Sequence, residues 1–336
     1  MIDWAGQFGT AAAASQDGVG PAAVFGGNDG MRGITGDGTY IYTAGQNCIR
    51  RIAIASAAVQ TIAGQCGTAA HVDARGSAAR FGFVDGVATN GTTLWVVDGG
   101  NFVIRAVDLA SGDVTTLTGQ VGNAGPTDGS SSVAQFDSML GMTYDGSRLY
   151  ITEGGTRQAV RRIDPGTGDV DTIAGGNGTG AMNGPGDVAQ FSSPRKLGTN
   201  GTDLFIGDTE NHRVRRIVLG SGGRASHTVS TLAGSSAGFV DAAGTAAQFE
   251  RLRGITFDGA GLVVSDSDNC VVRTLTIAAA NVTTIAGIQL PGGCANHVVG
   301  IGAQAEFNKP MDIHFDQATG DLFIAEGNVL RRMNYR

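Results

Sequence analysis

An acidic residue recurs along the chain at intervals of 55 to 60 residues, and an arginine follows each copy by five to eight residues. The acids are Asp98, Glu153, Asp208, Asp266 and Glu326, with Ala44 in the first copy. The arginines are Arg105, Arg161, Arg215, Arg273 and Arg331, with Arg50 in the first copy. Five carboxylates in one place could bind a hard cation, which prefers oxygen ligands. We favour a repeated acid–arginine tie between strands, because both partners recur together.

The four cysteines form two pairs that are close in sequence. Cys48 and Cys66 flank two predicted strands, and the midpoint between them lies in an apparent turn at 56–58. A hairpin folded at this turn places the two side chains opposite each other, at the separation that a disulfide requires. Cys270 and Cys294 flank an equivalent hairpin, although Cys294 lies beyond the matching position. Two disulfides without a leftover thiol indicate an oxidising compartment and disfavour zinc binding by all four cysteines.

A second polar series stands eight residues before a recurring phenylalanine. Its members are Asp17, Asp73, Asp128, Asn183, Asp241 and Val299. Several of them precede glycine, which is typical of Asx turns. No second carboxylate recurs nearby at ligand spacing, so we predict a turn-forming role rather than a shallow calcium site.

The histidines offer little sign of a catalytic centre. His71, His212, His227, His297 and His314 are assigned to five different repeat positions, so symmetry predicts no ring of imidazoles. A zinc-dependent lyase would need several histidines in one place. Only His314, on a predicted inner strand, is a candidate for a site. The sequence has no evident Ser-His-Asp arrangement, so no catalytic residue is assigned.

The composition argues against two classes of partner. The formal charge is −7 and only Lys196 and Lys309 are lysines, so nucleic acid is not expected as a partner. No apolar run reaches 18 residues, so no membrane span is predicted, and residues 1–20 lack the features of a signal peptide. Charged residues make up 16% of the chain, which leaves a surface of small polar residues suited to assembly or to an extracellular setting.

Six copies of one repeat account for nearly all of the chain. The tetrad Thr-Ile-Ala-Gly at 61–64 recurs at 116–119, 172–175, 231–234 and 284–287, with a looser copy at 3–6. Phenylalanine, with alanine two residues earlier, recurs at Phe25, Phe81, Phe136, Phe191, Phe249 and Phe307. The spacings are 56, 55, 55, 58 and 58 residues, and the path from Phe307 through both termini to Phe25 is 54 residues. The repeat therefore closes on itself, as in a ring.

Each repeat contains four short stretches of strand-like alternation, and the 55 glycines supply its many turns. Four strands per unit of this length are typical of one propeller blade. We predict an all-β, six-bladed β-propeller of four-stranded antiparallel blades, formed as one domain by residues 1–336. Ile2, Asp3 and Trp4 form the strand that completes the last blade, with Ile2 and Trp4 buried. A neighbouring molecule could supply this strand instead, which would join subunits into a filament. We favour closure within one chain, because the 54-residue path matches the internal spacing. This geometry brings the acid series towards one end of a central channel, which His314 also faces.

The sequence resembles a known family at 204–217, which reads Leu-Phe-Ile-Gly-Asp-Thr-Glu-Asn-His-Arg-Val-Arg-Arg-Ile and is followed by the tetrad at 231–234. This segment is similar to an NHL repeat, whose pattern combines an apolar strand, an acidic residue, Asn-His and Arg-x-Ile or Arg-x-Val. The other five repeats match more loosely, and together they cover nearly the whole chain. The resemblance implies a six-bladed propeller, a scaffold that hosts many unrelated functions.

Two hypotheses of function follow from these observations. The first is a non-catalytic extracellular or cell-surface propeller that acts as a protein-interaction or structural module, with a homopolymer as its extended form. The alternative is a metal-dependent lactonase or hydrolase with its site in the central channel. Lactonase-type propellers hold a divalent metal there with Glu, Asn and Asp side chains, and no such set aligns with these repeats. No cofactor is predicted, and the expected partner is a protein, a second copy of this chain included.

Overall fold

The computed structural model describes residues 1–9, 14–26, 30–289, 293–294 and 296–336, which form six antiparallel sheets. Blade 1 contains β2 (Gly18–Val19), β3 (Gly33–Gly36), β4 (Tyr40–Gly45), β5 (Cys48–Ala53) and β6 (Ala58–Gly64). Blade 2 contains β7 (Val84–Thr89), β8 (Thr93–Asp98), β9 (Val103–Asp108) and β10 (Val114–Gly119). Blade 3 contains β11 (Met139–Tyr144), β12 (Leu149–Glu153), β13 (Ala159–Ile163) and β14 (Val170–Gly175).

The second half of the ring repeats this plan. Blade 4 contains β15 (Gly184–Pro185), β16 (Pro194–Thr199), β17 (Asp203–Asp208), β18 (Arg213–Val218) and β19 (Thr228–Ala233). Blade 5 contains β20 (Leu252–Phe257), β21 (Gly261–Asp266), β22 (Val271–Thr276) and β23 (Val282–Gly287). Blade 6 contains β24 (Asp312–Asp316), β25 (Asp321–Glu326), β26 (Val329–Asn334) and β1 (Ile2–Gly6). The predicted all-β, six-bladed propeller is confirmed, and blades 1 and 4 each have a short fifth strand.

Helical structure in the described part of the chain is limited to single turns of 3₁₀ helix. They are Gly20–Ala22, Gly76–Ala78, Thr209–Asn211, Arg224–Ser226, Gly244–Ala246 and Gly302–Gln304. Four of these turns end three residues before a repeated phenylalanine, so they belong to the loops that connect one blade to the next.

The apolar core lies between neighbouring blades rather than inside any one of them. A representative layer joins Tyr42 and Ile49 of blade 1 to Phe81, Val87 and Val96 of blade 2, all of them buried. Each blade thus depends on both neighbours for burial of its faces, which makes closure of the ring a condition of stability.

The glycine that ends each tetrad contacts the recurring phenylalanine of the next blade. Gly64 ends β6 with φ of +84°, and a Cβ there would lie 2.9 Å from Cδ2 of Phe81 in the next blade. Glycine alone tolerates both this backbone conformation and this approach. The same approach recurs between Gly119 and Phe136, Gly175 and Phe191, Gly234 and Phe249, Gly287 and Phe307, and Gly6 and Phe25. The last of these pairs joins blade 6 to blade 1.

The N-terminal strand closes the ring, as predicted. β1 pairs antiparallel with β26, with Asp3 opposite Arg331. Trp4 is 7% exposed and its ring centroid lies 5.0 Å from that of Phe323. The expectation that Ile2 is also buried is wrong, because its side chain points away from the core and is 54% exposed. Apolar burial by this strand therefore rests on Trp4 and Ala5.

Candidate functional site

A buried arginine on the third strand of each blade forms the centre of a polar cluster. In blade 2, Arg105 lies over the ring of Phe81, with 4.9 Å between the guanidinium carbon and the ring centroid. Nη1 donates to Asp98 Oδ2 at 3.0 Å, and Nη2 donates to Asp73 Oδ1 at 2.5 Å. Two more hydrogen bonds reach carbonyl oxygens of the loop before the blade. Arg105 thus joins two strands, the marker phenylalanine and the inter-blade loop.

The structure brings together each acid of the sequence series with its arginine. The Nη1 to carboxylate distances are 3.0 Å for Arg105–Asp98, 2.9 Å for Arg161–Glu153, 2.8 Å for Arg215–Asp208, 2.9 Å for Arg273–Asp266 and 3.0 Å for Arg331–Glu326. All ten side chains are fully buried inside their blades, so the carboxylates do not face the central channel as expected. A buried carboxylate needs a buried counter-charge, and the arginine of the same blade supplies it to each of these acids.

Burial raises the pKa of four of these acids, which are Asp98, Glu153, Asp208 and Asp266. It raises the pKa of Asp266 to about 6, although hydrogen bonds from Asn269 and Arg273 favour the carboxylate. The carboxylate of Asp266 and the guanidinium of Arg273 therefore lie together in a buried environment that disfavours an isolated charge.

The second polar series contacts the same arginines, and its interpretation as local Asx turns is wrong. Asp73 accepts hydrogen bonds from the backbone N–H of Thr116 at 3.0 Å and from its hydroxyl at 3.1 Å, as well as from Arg105. Asp17, Asp128 and Asp241 make the same long-range contacts in their blades. A carboxylate gains more from a buried guanidinium than from its own turn.

Blades 1, 4 and 6 each lack one carboxylate of this pattern. Blade 1 has Ala44 at the strand position, and in the described part of the chain Arg50 pairs with one carboxylate, that of Asp17, at 2.9 Å. Blade 4 has Asn183 at the loop position, and its side-chain oxygen accepts a hydrogen bond from Arg215 at 2.8 Å. Blade 6 has Val299 at the loop position, and Asp3 supplies a carboxylate from the strand instead, 3.4 Å from Arg331 Nε.

His297 links this substitute carboxylate to the rest of blade 6. Its Nε2 lies 2.9 Å from Asp3 Oδ2, and its Nδ1 lies 2.9 Å from Glu326 Oε1. Burial disfavours the charged imidazole, but the hydrogen bonds with Asp3 and Glu326 outweigh it and raise the pKa of His297 to about 9. His297 also stacks on Phe8, with ring centroids 4.3 Å apart.

The assignment of the five histidines to five different repeat positions is wrong. His71 and His297 both stand ten residues before a marker phenylalanine. Nε2 of His71 lies 2.9 Å from the hydroxyl of Thr116, which occupies in blade 2 the place of Asp3 in blade 6. The sequence contains the signal for this equivalence, because both histidines have the same spacing to the marker phenylalanine.

The structure confirms both predicted disulfides. Cys48 and Cys66 are bonded with 4.8 Å between their Cα atoms, and Cys270 and Cys294 are bonded with 5.4 Å between theirs. Cys48 begins β5 and Cys270 immediately precedes β22, so both bridges fasten the start of a third strand to the loop after the fourth.

The central channel is crossed near one end by three charged residues from different blades. Lys196 Nζ lies 2.7 Å from Asp85 Oδ1 and 3.5 Å from Asp312 Oδ2. Both carboxylates stabilise the ammonium against the effect of burial and raise the pKa of Lys196. Sequence analysis missed this group, although Lys196 and Asp312 interrupt positions that are glycine in the other four blades.

Beyond this charged group the channel widens into a chamber of about 450 Å³. Thr35, Thr143, Thr256 and His314 from four inner strands line it, together with Lys196. His314 does line the channel, and burial lowers its pKa to about 4, so its imidazole is neutral near pH 7. A Cβ at position 36 would lie 2.7 Å from His314 Nε2, so glycine at this position leaves room for the imidazole.

No group of three His, Cys, Asp or Glu side chains in the described part of the chain could hold a metal ion. No helix among those residues is long and apolar enough to cross a membrane.

Comparison with known proteins finds relatives of this ring of repeats. No family model matches the chain. NHL repeat-containing protein 2 of Gallus gallus is 28% identical over 288 residues, which cover 76% of this chain and 39% of that protein. The chain is similar in sequence to these NHL-repeat proteins, and its six blades form a β-propeller of the NHL type. This NHL propeller therefore spans about two fifths of the length of that relative.

Solved structures share the fold of this NHL propeller at low sequence identity. An auxiliary nutrient binding protein from Bacteroides ovatus has a TM-score of 0.69 and 17% identity, over 99% of this chain and 76% of that one. A protein of unknown function from Bacteroides thetaiotaomicron has a TM-score of 0.68 and 19% identity, over 96% and 73%. At this identity the likeness shows the fold alone.

Proposed function

We propose that this NHL propeller is a non-catalytic extracellular or cell-surface module that binds a partner protein. The observation that carries the proposal is that the carboxylates of the strand series are bound within the scaffold. The acids of the strand series are each bound to a buried arginine, so these groups serve the scaffold and are not presented to a substrate. Side chains committed in this way cannot also act as metal ligands or proton carriers without loss of the fold.

The disulfides support the location in this proposal. Both bridges fasten strands of the ring to exposed loops, and such bonds persist in oxidising compartments. Mass spectrometry of alkylated, unreduced protein from its native source is expected to find no alkylated cysteine. Four alkylated cysteines would contradict the extracellular setting.

The fold is compatible with a role in binding. The Bacteroides ovatus protein of the same fold is an auxiliary nutrient binding protein, and a solved nidogen/laminin complex also contains a similar chain, with a TM-score of 0.54. Because the identities are 17% and 14%, these neighbours support a binding role in general and no particular ligand.

A metal-dependent lactonase or hydrolase acting in the channel is the second candidate. The chamber of about 450 Å³ favours it, because its size suits a small molecule. Elemental analysis of the purified protein separates the two candidates. A stoichiometric divalent metal would favour the hydrolase, whereas metal-free protein that retains a partner in pull-down supports the binding module. Light scattering of native material tests the homopolymer, which requires particles larger than one chain.

A further inference from the structure

The chamber beyond Lys196 opens to solvent where β24 ends. This strand runs from Asp312, beside Lys196, to Asp316, and both acids line the chamber. Gln317 and Ala318 follow the strand, line the same chamber and are exposed. A small molecule that enters from solvent at this end therefore reaches Asp316 before it reaches the charged group.

Asp316 lacks a partner that the equivalent acids of three other blades have. In blades 1, 3 and 5 a tyrosine hydroxyl donates to the acid at this repeat position. The bonds are Tyr42–Asp37 at 2.7 Å, Tyr150–Asp145 at 2.9 Å and Tyr335–Asp258 at 2.8 Å. In blade 6 the place of Tyr42 and Tyr150 on the second strand is taken by Phe323, which has no hydroxyl.

One carboxylate oxygen of Asp316 is left without a donor. Oδ1 accepts hydrogen bonds from the backbone N–H and the hydroxyl of Thr319, both at 2.8 Å. No donor contacts Oδ2 in the described part of the chain, although Asp316 is only 2% exposed. Buried polar atoms are nearly always hydrogen-bonded, and an unpaired one costs stability. A ligand with an N–H group in the chamber would supply the missing donor.

His314 offers a second acceptor beside this oxygen. It stands two residues before Asp316 on β24, so both side chains lie on the same face of the strand, and both line the chamber. Burial lowers the pKa of His314 to about 4, although the negative charges of Asp316 and Asp37 oppose this effect. The imidazole is therefore neutral near pH 7, and a neutral imidazole has one acceptor nitrogen.

The charges that line the chamber favour a cation over an anion. Among the described residues of the lining, Lys196 is the one charged base, and Asp85 and Asp312 both bind its ammonium. Asp316 and the exposed Asp37 remain, and no basic side chain of the lining pairs with them. A partly enclosed cavity with an excess of acids attracts cations.

The other lining residues favour an organic cation over a metal ion. No group of three His, Cys, Asp or Glu side chains in the described residues is placed to hold a metal. Tyr144 and Phe257 also line the chamber and are partly buried, so they offer apolar contact to a carbon skeleton. Aromatic side chains attract organic cations, and a chamber of about 450 Å³ suits a small molecule.

We propose that the chamber binds a small organic ammonium ion, which donates hydrogen bonds to Asp316 Oδ2 and to the acceptor nitrogen of His314. Asp316 supplies the matching charge, and Tyr144 and Phe257 contact the apolar part of the ligand. This site goes beyond the proposed function, because it requires neither a partner protein nor a reaction.

The test compares three compounds that share an aromatic ring and differ in charge. Benzylamine is the ammonium probe, benzyl alcohol its neutral counterpart and benzoate its anionic counterpart. Ligand-observed NMR at pH 7.5 measures the apparent Kd of each for the full chain. The wild type is expected to bind benzylamine at least tenfold more tightly than the other two compounds. D316N should bind benzylamine at least tenfold more weakly, because it removes the charge and keeps Oδ1 for Thr319.

Phe323→Tyr tests the same site without a change of charge. It introduces the residue type of blades 1 and 3, whose hydroxyl binds the equivalent acid, so the new hydroxyl should occupy Asp316 Oδ2. The affinity for benzylamine is expected to fall at least threefold, whereas the melting temperature should equal or exceed that of the wild type. This variant keeps the test decisive if D316N does not fold.

Asp145→Asn is the matched control, because it makes the same change at the equivalent position of blade 3. Asp145 is bound by Tyr150 and lies outside the lining of the chamber. This variant is expected to bind benzylamine as the wild type does.

Each other outcome overturns the proposal. Benzylamine that does not bind, or binds no better than benzyl alcohol, would remove the ammonium site. Unchanged affinity in D316N or in F323Y would place the amine elsewhere. Binding of methyl glucoside in place of benzylamine would replace the cation by a neutral carbohydrate, and displacement of benzylamine by stoichiometric calcium or zinc would replace it by a metal ion. None of these results concerns partner retention or the state of the cysteines, so failure here remains distinct from failure of the proposed function.

Discussion

Asp3 lies directly opposite Arg331 across the β1–β26 pair, in the place that a threonine holds opposite the buried arginine of every other blade. In the blades that have a loop acid, this acid accepts hydrogen bonds from both the arginine and the threonine. Blade 6 has Val299 in that loop, and its carboxylate comes from the strand. The ring is thus closed by a residue that also completes the polar cluster of its last blade.

Asp208→Ala is expected to lower the free energy of unfolding by about 3–5 kcal/mol, because it leaves Arg215 buried without a counter-charge. Blade 4 has Asn183 where four of the other blades have a loop acid, so no second carboxylate contacts this arginine in the described part of the chain. Urea unfolding followed by fluorescence measures the change.

Asp98→Ala is the matched control for this variant. Arg105 keeps Asp73 as a partner at 2.5 Å, so the expected loss is smaller, about 1–3 kcal/mol. If Asp208→Ala and Asp98→Ala lower the free energy of unfolding equally, Asp73 does not compensate for the loss of Asp98 as a partner of Arg105.

Trp4→Ala is expected to destabilise the protein by about 3–5 kcal/mol, because Trp4 is buried against Phe323 at the junction of blades 6 and 1. Ile2→Ala, two residues earlier on the same strand, should change stability by no more than about 0.5 kcal/mol, since Ile2 is exposed. Thermal unfolding of both variants provides the measurement. If the two variants have the same melting temperature, the packing of Trp4 does not contribute to the stability of the protein.

The sequence predicted the ring because its determinants repeat. The glycine that ends each fourth strand and the phenylalanine of the next blade make one contact, so both must recur at a fixed spacing. The disulfides were predictable for a similar reason, since a hairpin sets its two ends opposite each other.

The sequence predicted the pairing of the first and last strands but not the polar contacts between side chains that are far apart in the chain. Asp73 and Thr116 are 43 residues apart. At two equivalent positions, Asp17 and Asp128, the acid precedes glycine, and this pattern suits a local turn equally well. Lys196, Asp85 and Asp312 come from three blades, and only the closed ring brings them together. The sequence signal for this charged group was that Lys196 and Asp312 replace a glycine found in the other four blades. A residue that departs from a repeated structural pattern can serve a purpose other than the fold.

Stability is expected to fall as the pH rises from 6.5 to 9. The pKa of His297 is about 9 in the folded protein and near 6.5 when unfolded, so folding favours the protonated imidazole. Its contribution is fully present below pH 6.5 and is lost as the pH rises through 9, with a magnitude on the order of 3 kcal/mol at most. Urea unfolding at pH 6 and pH 9.5 measures the change.

His297→Gln is the control for this pH dependence. Glutamine can still contact Asp3 but does not titrate, so the variant should show a flatter stability profile between pH 6 and pH 9.5. An identical slope in wild type and variant would assign the pH dependence to other groups.

Asp3→Thr restores the residue type of the other five blades at this position and is expected to cost about 1–3 kcal/mol, because Arg331 and His297 lose a carboxylate. Val299→Asp added to this variant should recover at least half of the loss, since residue 299 occupies the position from which Asp241 contacts Arg273 and Thr284 in blade 5. In the wild-type background the same change places a third carboxylate beside Asp3 and Glu326, so it should be neutral or destabilising. Urea unfolding of the four proteins gives the coupling energy between the two sites. If Val299→Asp changes stability equally in both backgrounds, the two carboxylates do not substitute for each other.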